Sequence, residues 1–254
     1  MHNFDKVLSE FLNSREATLP YQPMNFVYLI ITAFLPALLS AGIAVKRKTP
    51  VSLLIAAFFA AAASIPPVLA LQYFLHVLSD TALNTQSAGA QLVFHSFITA
   101  GLIEESVKAA AFGLAVAGLL NIQNKQTTEK TAGVHDTIER QAHPKHLMLI
   151  ALFFGLVFSG FENIHYGLRY PQFTVLRLCT ASVLHGTLGG FYARLIRTPA
   201  KKQAAAFLAQ AVLLHGLYDF FTSLGGRFML PAAAVIGLTG LSFLKFAGNS
   251  PIRE

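Results

Sequence analysis

Ionisable side chains stand inside four apolar stretches of this sequence, although placing such a group in hydrocarbon costs a few kcal/mol on insertion scales. Carboxylates and imidazoles can activate water, either as general bases or around a metal ion, and a neighbouring ammonium group can hold them in place. The set therefore indicates a buried hydrolytic or proton-transferring site. Its members are Glu104, Glu105, Lys108, Glu162, His185, His215 and Asp219.

The spacing within two stretches places some of these groups side by side. Lys108 follows Glu104 by four residues and Glu105 by three, so its ammonium group can reach either carboxylate along a helix. Adjacent glutamates point about 100° apart on a helix, so the two need not share a role. His215 and Asp219 are one turn apart on one face, as a carboxylate that orients an imidazole requires.

Metal-dependent and metal-free chemistry both fit these residues. Glu162, His185 and His215 supply two imidazoles and a carboxylate, which is the ligand set of a hydrolytic zinc site with one position open for water. They come from separate stretches, however, and the sequence lacks the His-Glu-x-x-His arrangement that fixes two ligands on one helix face. Because acidic residues outnumber histidines in the set, we favour a metal-free glutamate mechanism and keep zinc as the alternative cofactor.

The elements that must position these groups are membrane-spanning helices. Of the 254 residues, 54% are hydrophobic and only 12% are charged, whereas a soluble domain carries about 25% charged residues. We predict an all-α, polytopic helix bundle of about seven spans, each long enough to cross a bilayer. The spans cover approximately residues 24–45, 51–78, 91–120, 147–169, 172–195, 203–224 and 229–247.

Small residues accompany the polar groups in these spans. Glycines lie near each motif, at positions 155, 160, 186, 189, 190 and 216, and small residues let helix backbones approach closely. We expect Glu104, Glu162, His185 and His215 to meet at one depth, near the middle of their spans. The single cysteine, Cys179, is expected to be a small core residue.

Three segments lie outside the predicted bundle of residues 24–247. Residues 1–23 place apolar side chains at helical spacing and predict an interfacial helix on the membrane, with a disordered tail as the alternative. The polar stretch 121–146 predicts a flexible cytoplasmic loop, whose His135, His143 and His146 we expect to be solvated rather than bound to metal. Residues 248–254 form a short C-terminal tail.

The positive charges indicate the orientation of the spans. Of 19 Lys and Arg residues, 13 fall on one side of the predicted spans, five on the other, and Lys108 lies inside a span. The positive-inside rule then places the N-terminus outside and the C-terminus in the cytoplasm. The net charge of +7 therefore reports topology and predicts no nucleic-acid partner.

Four motifs in chain order resemble the PrsW family of intramembrane proteases, distant relatives of the type II CAAX prenyl endopeptidases. The resemblance covers approximately residues 24–247. Its motifs are Glu-Glu-x-x-Lys at 104–108, Phe-x-x-x-Glu-Asn at 158–163, His-Gly followed by Phe-Tyr at 185–192, and His-Gly-x-Tyr-Asp-Phe at 215–220.

The resemblance implies a membrane-embedded endopeptidase of a bacterial inner membrane. In the best-known member the substrate is a membrane-bound anti-sigma factor cut on its extracytoplasmic side, so the implied partner is a single-span membrane protein. By analogy with the CAAX relatives, Glu104 is the implied base. Those relatives have His where this chain has Glu162 and Asn where it has Asp219, so processing of prenylated proteins is not expected.

A proton- or ion-coupled transporter is the alternative function, because buried carboxylates and histidines also relay protons. Transporters commonly repeat such motifs in paired halves. Here the motifs fall only in the third to sixth spans and do not repeat, which favours the protease. A catalytically inactive binding protein is disfavoured because every motif position keeps its ionisable residue.

Overall fold

The computed structural model describes residues 25–82, 87–128 and 144–248, and no strand occurs within these ranges. Seven long helical segments run through the described chain, together with one short helix and two 3₁₀ turns at Pro171–Phe173 and Gly226–Phe228. In the third long segment a π-helix lies directly between two α-helices. The helices are α1 (Phe26–Lys46), α2 (Val51–Ala82), α3 (Ala88–Phe94), the π-helix (His95–Glu104), α4 (Glu105–Thr128), α5 (Pro144–Arg169), α6 (Thr174–Cys179), α7 (Ala181–Arg197), α8 (Lys201–Leu224) and α9 (Met229–Gly248).

Five segments of the described chain are long and apolar enough to cross a membrane: 26–46, 51–78, 146–169, 201–224 and 226–248. The two other long segments are α7, which has 17 residues, and the segment that contains Glu104, Glu105 and Lys108. The all-helical fold is therefore confirmed, with five candidate membrane spans among the described residues. The two further spans, both of which carry site residues, stay a prediction.

The bundle has an apolar outside and a polar centre. Leu38, Phe59 and Leu114 lie on outward faces and are each at least 64% exposed. Glu105 and Lys108, by contrast, are at most 1% exposed. Because hydrocarbon favours apolar side chains on the surface and penalises charge, this distribution is that of an integral membrane protein with a buried ionic centre.

The polar loop is shorter than predicted. α4 continues to Thr128 and α5 begins at Pro144, so both ends of the predicted loop 121–146 are helical; proline suits the first position of a helix because its missing amide has no partner there. His146 lies in the first turn of α5, half-buried, with Nδ1 2.9 Å from Thr49 Oγ1. The expectation of a solvated loop histidine is therefore wrong for His146.

Other predictions fall outside the described residues. These are the interfacial helix of residues 1–23, the two loop histidines His135 and His143, and almost all of the C-terminal tail.

The predicted span 172–195 is broken in two. A 3₁₀ turn and α6 cover residues 171–179, and α7 starts only at Ala181. At the break, Thr180 has a φ of −115° and its hydroxyl donates to the Leu176 carbonyl at 2.8 Å. Cys179 is exposed and shares the outward face of α6 with Val175 and Leu176, so the expectation of a core cysteine is wrong.

Glycines hold α5 and α7 in backbone contact. A Cβ added at Gly155 would overlap the His185 carbonyl, and one added at Gly189 would overlap the Ala151 carbonyl. Only residues without a side chain allow helices to approach this closely. The contact places the α5 residues near Glu162 directly against the α7 residues near His185.

Candidate active site

The seven ionisable residues predicted from the sequence come together in one connected centre. Its exposure rises from one side to the other, because the side chain of Glu105 is 0% exposed, that of Glu162 18% and that of Asp219 29%. The centre is therefore closed on the Glu105 side and more open on the Asp219 side. Its members are Glu104 at the end of the π-helix, Glu105 and Lys108 in α4, Glu162 in α5, His185 in α7, and His215 and Asp219 in α8.

The centre lies nearer one end of the bundle than the sequence predicts. His185 is four residues from the start of α7, and Asp219 is five residues from the end of α8. At 1.5 Å per residue, each lies within about 8 Å of the end of its helix. The expected position at mid-span is wrong for His185 because the break at Thr180 moves the start of its helix.

Glu105 is the most enclosed carboxylate of the centre. Its Oε1 lies 2.5 Å from Lys108 Nζ and 2.7 Å from His215 Nδ1, and its Oε2 accepts a hydrogen bond from the Tyr192 hydroxyl. Tyr192 is itself 1% exposed. Three partners thus engage both oxygens of Glu105, and its contact with Nδ1 holds the His215 ring in one orientation.

Glu104 has different surroundings from its neighbour. Its Oε1 accepts a hydrogen bond of 2.8 Å from Gln72 Nε2 in α2. Within the described part of the chain its Oε2 has only longer polar contacts, 3.4 Å to Lys108 Nζ and 4.0 Å to His215 Nε2. A π-helix is a rare, wide turn that is frequent at functional sites, and here it ends on Glu104. One oxygen of Glu104 is therefore held while the other faces the histidines.

His185 bridges two charged groups. Its Nε2 lies 2.7 Å from Glu162 Oε2, and its Nδ1 lies 3.2 Å from Lys108 Nζ. Because an ammonium group only donates, Nδ1 is the acceptor and Nε2 carries the proton shared with Glu162. Glu162 thus fixes both the tautomer and the orientation of His185.

His215 has a carboxylate on each edge of its ring. Glu105 accepts from Nδ1, while Nε2 lies 3.3 Å from Asp219 Oδ2 and 4.0 Å from Glu104 Oε2. The predicted proximity of His215 and Asp219 is thus confirmed, but the closer partner that orients the ring is Glu105. The His185 and His215 rings meet edge to face with centroids 4.9 Å apart.

A group that could hold a metal ion lies at the middle of the centre. Glu104, His185 and His215 offer ligand atoms that all lie within 4.8 Å of one another. The carboxylate in this group is Glu104, whereas the sequence predicts Glu162, which is bound to His185 Nε2 instead. Each histidine also shares one ring nitrogen with a second carboxylate, as metal-ligating histidines usually do. The donor types fit a zinc ion with one position for water, but His185 Nδ1, the ring nitrogen that faces away from Glu162, is engaged by Lys108 Nζ at 3.2 Å, so a metal bound there would replace that contact.

Two polar residues of the centre are not among those predicted. Gln72 bonds Glu104, and Arg177 Nη2 lies 2.9 Å from Glu162 Oε1. Both lie within predicted apolar stretches, 51–78 and 172–195. The rule that selected the other residues, an ionisable group inside a span, does not include Gln72, because an amide does not ionise. The positive-inside rule assigns Arg177 to the five charges on the extracytoplasmic side, because the break before α7 is not apparent from the hydropathy.

The family comparison agrees with these motifs. The model of the PrsW family, described as PrsW family intramembrane metalloprotease, matches residues 49–244, a range that includes every residue of the centre. No curated protein sequence and no solved structure matches the chain significantly. The family match covers well over half of the chain, and the apolar helices agree with a membrane location. The chain therefore belongs to the PrsW family of intramembrane metalloproteases and is a membrane-embedded peptidase.

Proposed function

We propose that the protein hydrolyses a peptide bond of a membrane-anchored protein at the centre formed by Glu104, His185 and His215. One observation carries this proposal: a buried carboxylate faces two histidines, each of which is oriented by a different second carboxylate. Hydrolysis inside a membrane needs a site that collects and activates water where water is scarce. A fixed group of acceptors and imidazoles meets that need.

Glu104 is the proposed acceptor of the proton from water. A general base must have a lone pair within reach of its water. The oxygens of Glu105 are engaged by Lys108, His215 and Tyr192, whereas Glu104 Oε2 has no contact shorter than 3.4 Å among the described residues. Gln72 holds the other oxygen and so fixes the direction in which Glu104 faces.

Asp219 is proposed to act directly at the open edge of the centre. Its carboxylate lies 3.3 Å from His215 Nε2, on the same edge of the ring as Glu104. Because Glu105 already orients His215 through Nδ1, Asp219 is not needed for that purpose. Its position suits a group that places the water, or the substrate amide, beside His215 Nε2.

The same three residues would hold a metal ion if the protein uses one. Glu104, His185 and His215 would then be its ligands, so Glu104 would bind the metal instead of acting as the free base, while Glu162 and Glu105 orient the two rings. A bound zinc ion would make its water acidic and polarise the scissile carbonyl. The description of the family as metalloproteases supports a metal, and weighs against the metal-free mechanism that the excess of acidic residues favours.

The proposed substrate is a single-span membrane protein, such as an anti-sigma factor, in a bacterial inner membrane. The positive-inside rule supports an orientation in which the start of α7 and the end of α8 lie on the extracytoplasmic side. Because the centre lies near these helix ends, we propose that cleavage occurs towards the outer surface of the membrane. A transporter is not favoured, since the family match is to peptidases.

A reconstituted assay tests the proposal. Purified protein is placed in vesicles together with membrane proteins of the host cell, and newly formed N-termini are identified by mass spectrometry with and without a chelator. We expect new N-termini at membrane-anchored proteins, and stoichiometric zinc that is lost in His185→Ala and His215→Ala. Activity that survives the chelator in zinc-free protein would exclude the metal but keep the peptidase. Absence of any new N-terminus would contradict the proposal.

A further inference from the structure

Arg177 belongs to none of the four sequence motifs, but its side chain contacts Glu162 of the centre. Its guanidinium group contacts three residues within about one turn of α5: Nη2 lies 2.9 Å from Glu162 Oε1, Nε lies 3.3 Å from Asn163 Oδ1, and the group stacks over the Tyr166 ring at 3.8 Å. The side chain of Arg177 is only 18% exposed. A planar guanidinium with several directed donors can make all these contacts at once.

The short helix α6 holds Arg177 in this place. Thr174, at the start of α6, is 4% exposed and lies against Gly167 of α5. After the end of α6, Thr180 Oγ1 accepts a 2.9 Å hydrogen bond from the Tyr218 hydroxyl of α8. Both ends of the segment that carries Arg177 are thus attached to the helices around the centre. Since α6 is anchored in this way, the guanidinium is a fixed feature and not a loose surface charge.

Glu162 connects Arg177 to the centre. One of its oxygens pairs with Arg177 at 2.9 Å, and the other pairs with His185 Nε2 at 2.7 Å. A carboxylate bound through both oxygens cannot rotate without losing one partner. The orientation of His185 is therefore set by a two-step chain in which Arg177 fixes Glu162 and Glu162 fixes the ring.

We propose that Arg177 is a positioning residue for the peptidase reaction, acting on His185 through Glu162. This inference rests on the proposed function, because it requires His185 to belong to the catalytic centre. Without Arg177, Glu162 keeps only its bond to His185 and is no longer fixed from the other side, so the His185 ring is held less firmly on its Nε2 edge, although Lys108 still contacts Nδ1. Asn163 strengthens the chain, since its amide nitrogen is anchored to Ser182 Oγ at 2.9 Å and its oxygen accepts from Arg177.

The nature of the cation matters in this arrangement. Lysine would keep the positive charge beside Glu162. Its N–H donors, however, all lie on one ammonium nitrogen, whereas those of arginine are spread over the planar guanidinium group. Lysine therefore cannot hold Glu162 and Asn163 together in the observed geometry. Arg177→Lys should accordingly recover part, and not all, of the activity that Arg177→Gln loses.

The test uses the full-length protein in vesicles and a membrane protein that the wild type has been shown to cleave. A misplaced catalytic group typically costs about 100-fold in rate. For Arg177→Gln we expect kcat to fall by about that factor with KM nearly unchanged, and for Arg177→Lys a fall of roughly tenfold. Arg227→Gln is the matched control, because Arg227 is an exposed arginine predicted on the same side of the membrane; it should behave as wild type.

A double variant shows whether Arg177 acts through Glu162. Because the two residues belong to one chain of contacts, Arg177→Gln combined with Glu162→Gln should be no slower than the worse single variant. Multiplying losses would overturn the inference, as would a raised KM with unchanged kcat. If Arg177→Gln does not fold, Arg177→Lys decides, and a wild-type kcat in that variant would overturn the inference.

The outcomes separate this inference from the proposed function. Cleavage by the wild type that disappears in Glu104→Gln but persists at full kcat in Arg177→Gln overturns the inference alone. If the wild type cleaves no membrane protein in the vesicle assay of host membrane proteins, or if Glu104→Gln cleaves normally, both are refuted.

Discussion

Glu104 and Glu105 are adjacent in the sequence but have different surroundings, which suit them to different roles. Glu105 points into the bundle and meets Lys108, His215 and Tyr192, whereas Glu104 points towards Gln72 and the histidines. The pair and its lysine are evident in the sequence, because charged residues in an apolar helix stand out. Their partners are not evident, since Gln72 and Tyr192 come from distant helices whose rotation the sequence does not specify.

The difference in surroundings predicts a difference in stability. Glu105→Gln leaves the buried Lys108 ammonium without its closest counter-charge, and breaking a buried ion pair in this way costs about 3–5 kcal/mol. Glu104→Gln keeps the pair of Lys108 with Glu105 and should cost about 1 kcal/mol. Heat unfolding in detergent should rank Glu105→Gln well below Glu104→Gln, although both lose cleavage. Equal unfolding temperatures would contradict the distinction between the two glutamates.

Asp219 gives a second test at the scale of a side chain. Asp219→Asn keeps the shape and one oxygen acceptor but removes the charge, and Glu105 still orients His215. If Asp219 acts directly, cleavage should fall by about 100-fold, close to the loss in His215→Ala, with heat stability unchanged. Cleavage near the wild-type rate would show instead that Asp219 only assists the orientation of the ring.

At the scale of helices, hydropathy located the segments better than it located their interruptions. The first two predicted spans, 24–45 and 51–78, agree closely with α1 and the apolar part of α2, and both helices continue through their prolines. The π-helix and the break at Thr180 were not predicted, because both lie inside continuous apolar sequence. Such interruptions depend on tertiary contacts, here the bond of Tyr218 to Thr180.

Because α5 and α7 are in backbone contact, alanine substitutions at two glycines should differ sharply in their effect on stability and cleavage. Gly189→Ala would drive a Cβ into the Ala151 carbonyl and should destabilise the bundle by about 1–3 kcal/mol while misplacing His185. Gly237→Ala in α9 is the control, because no atom lies within 4 Å of the added Cβ. Heat unfolding and cleavage should both decline in the first variant and stay near wild type in the second. A Gly189→Ala protein as stable and active as the control would contradict the observed packing.

For the whole molecule, the arrangement of charges predicts the orientation in the membrane. Contacts place the start of α5 beside the connection between α1 and α2, through His146 and Thr49, and the ends of α7 and α9 together, through Arg194 and the Phe246 carbonyl. With 13 of 19 Lys and Arg residues on one side, we expect residues 125–145 and the C-terminus in the cytoplasm. Reporter fusions at these positions should give cytoplasmic signals, and an extracytoplasmic signal from either would reverse the assignment.

The whole molecule also explains why the centre could be predicted in outline. In a soluble protein seven ionisable residues would be lost among many on the surface, whereas here most charges inside the spans belong to one site. Their identity could therefore be read from the sequence. Which carboxylate joins the two histidines could not, because that choice between Glu104 and Glu162 depends on the relative rotation of three helices.

The most direct test is cleavage by the Glu104→Gln variant beside a control that alters a buried hydrogen bond elsewhere. Thr239→Val serves as the control, since Thr239 is 0% exposed and bonds Thr187 outside the centre. Both proteins are purified, placed in vesicles with host membrane proteins and compared with the wild type by counting new N-termini. Wild type and Thr239→Val should generate the same new N-termini, and Glu104→Gln should generate none above background. New N-termini produced by Glu104→Gln at the wild-type rate would contradict the assignment of peptide hydrolysis to this centre.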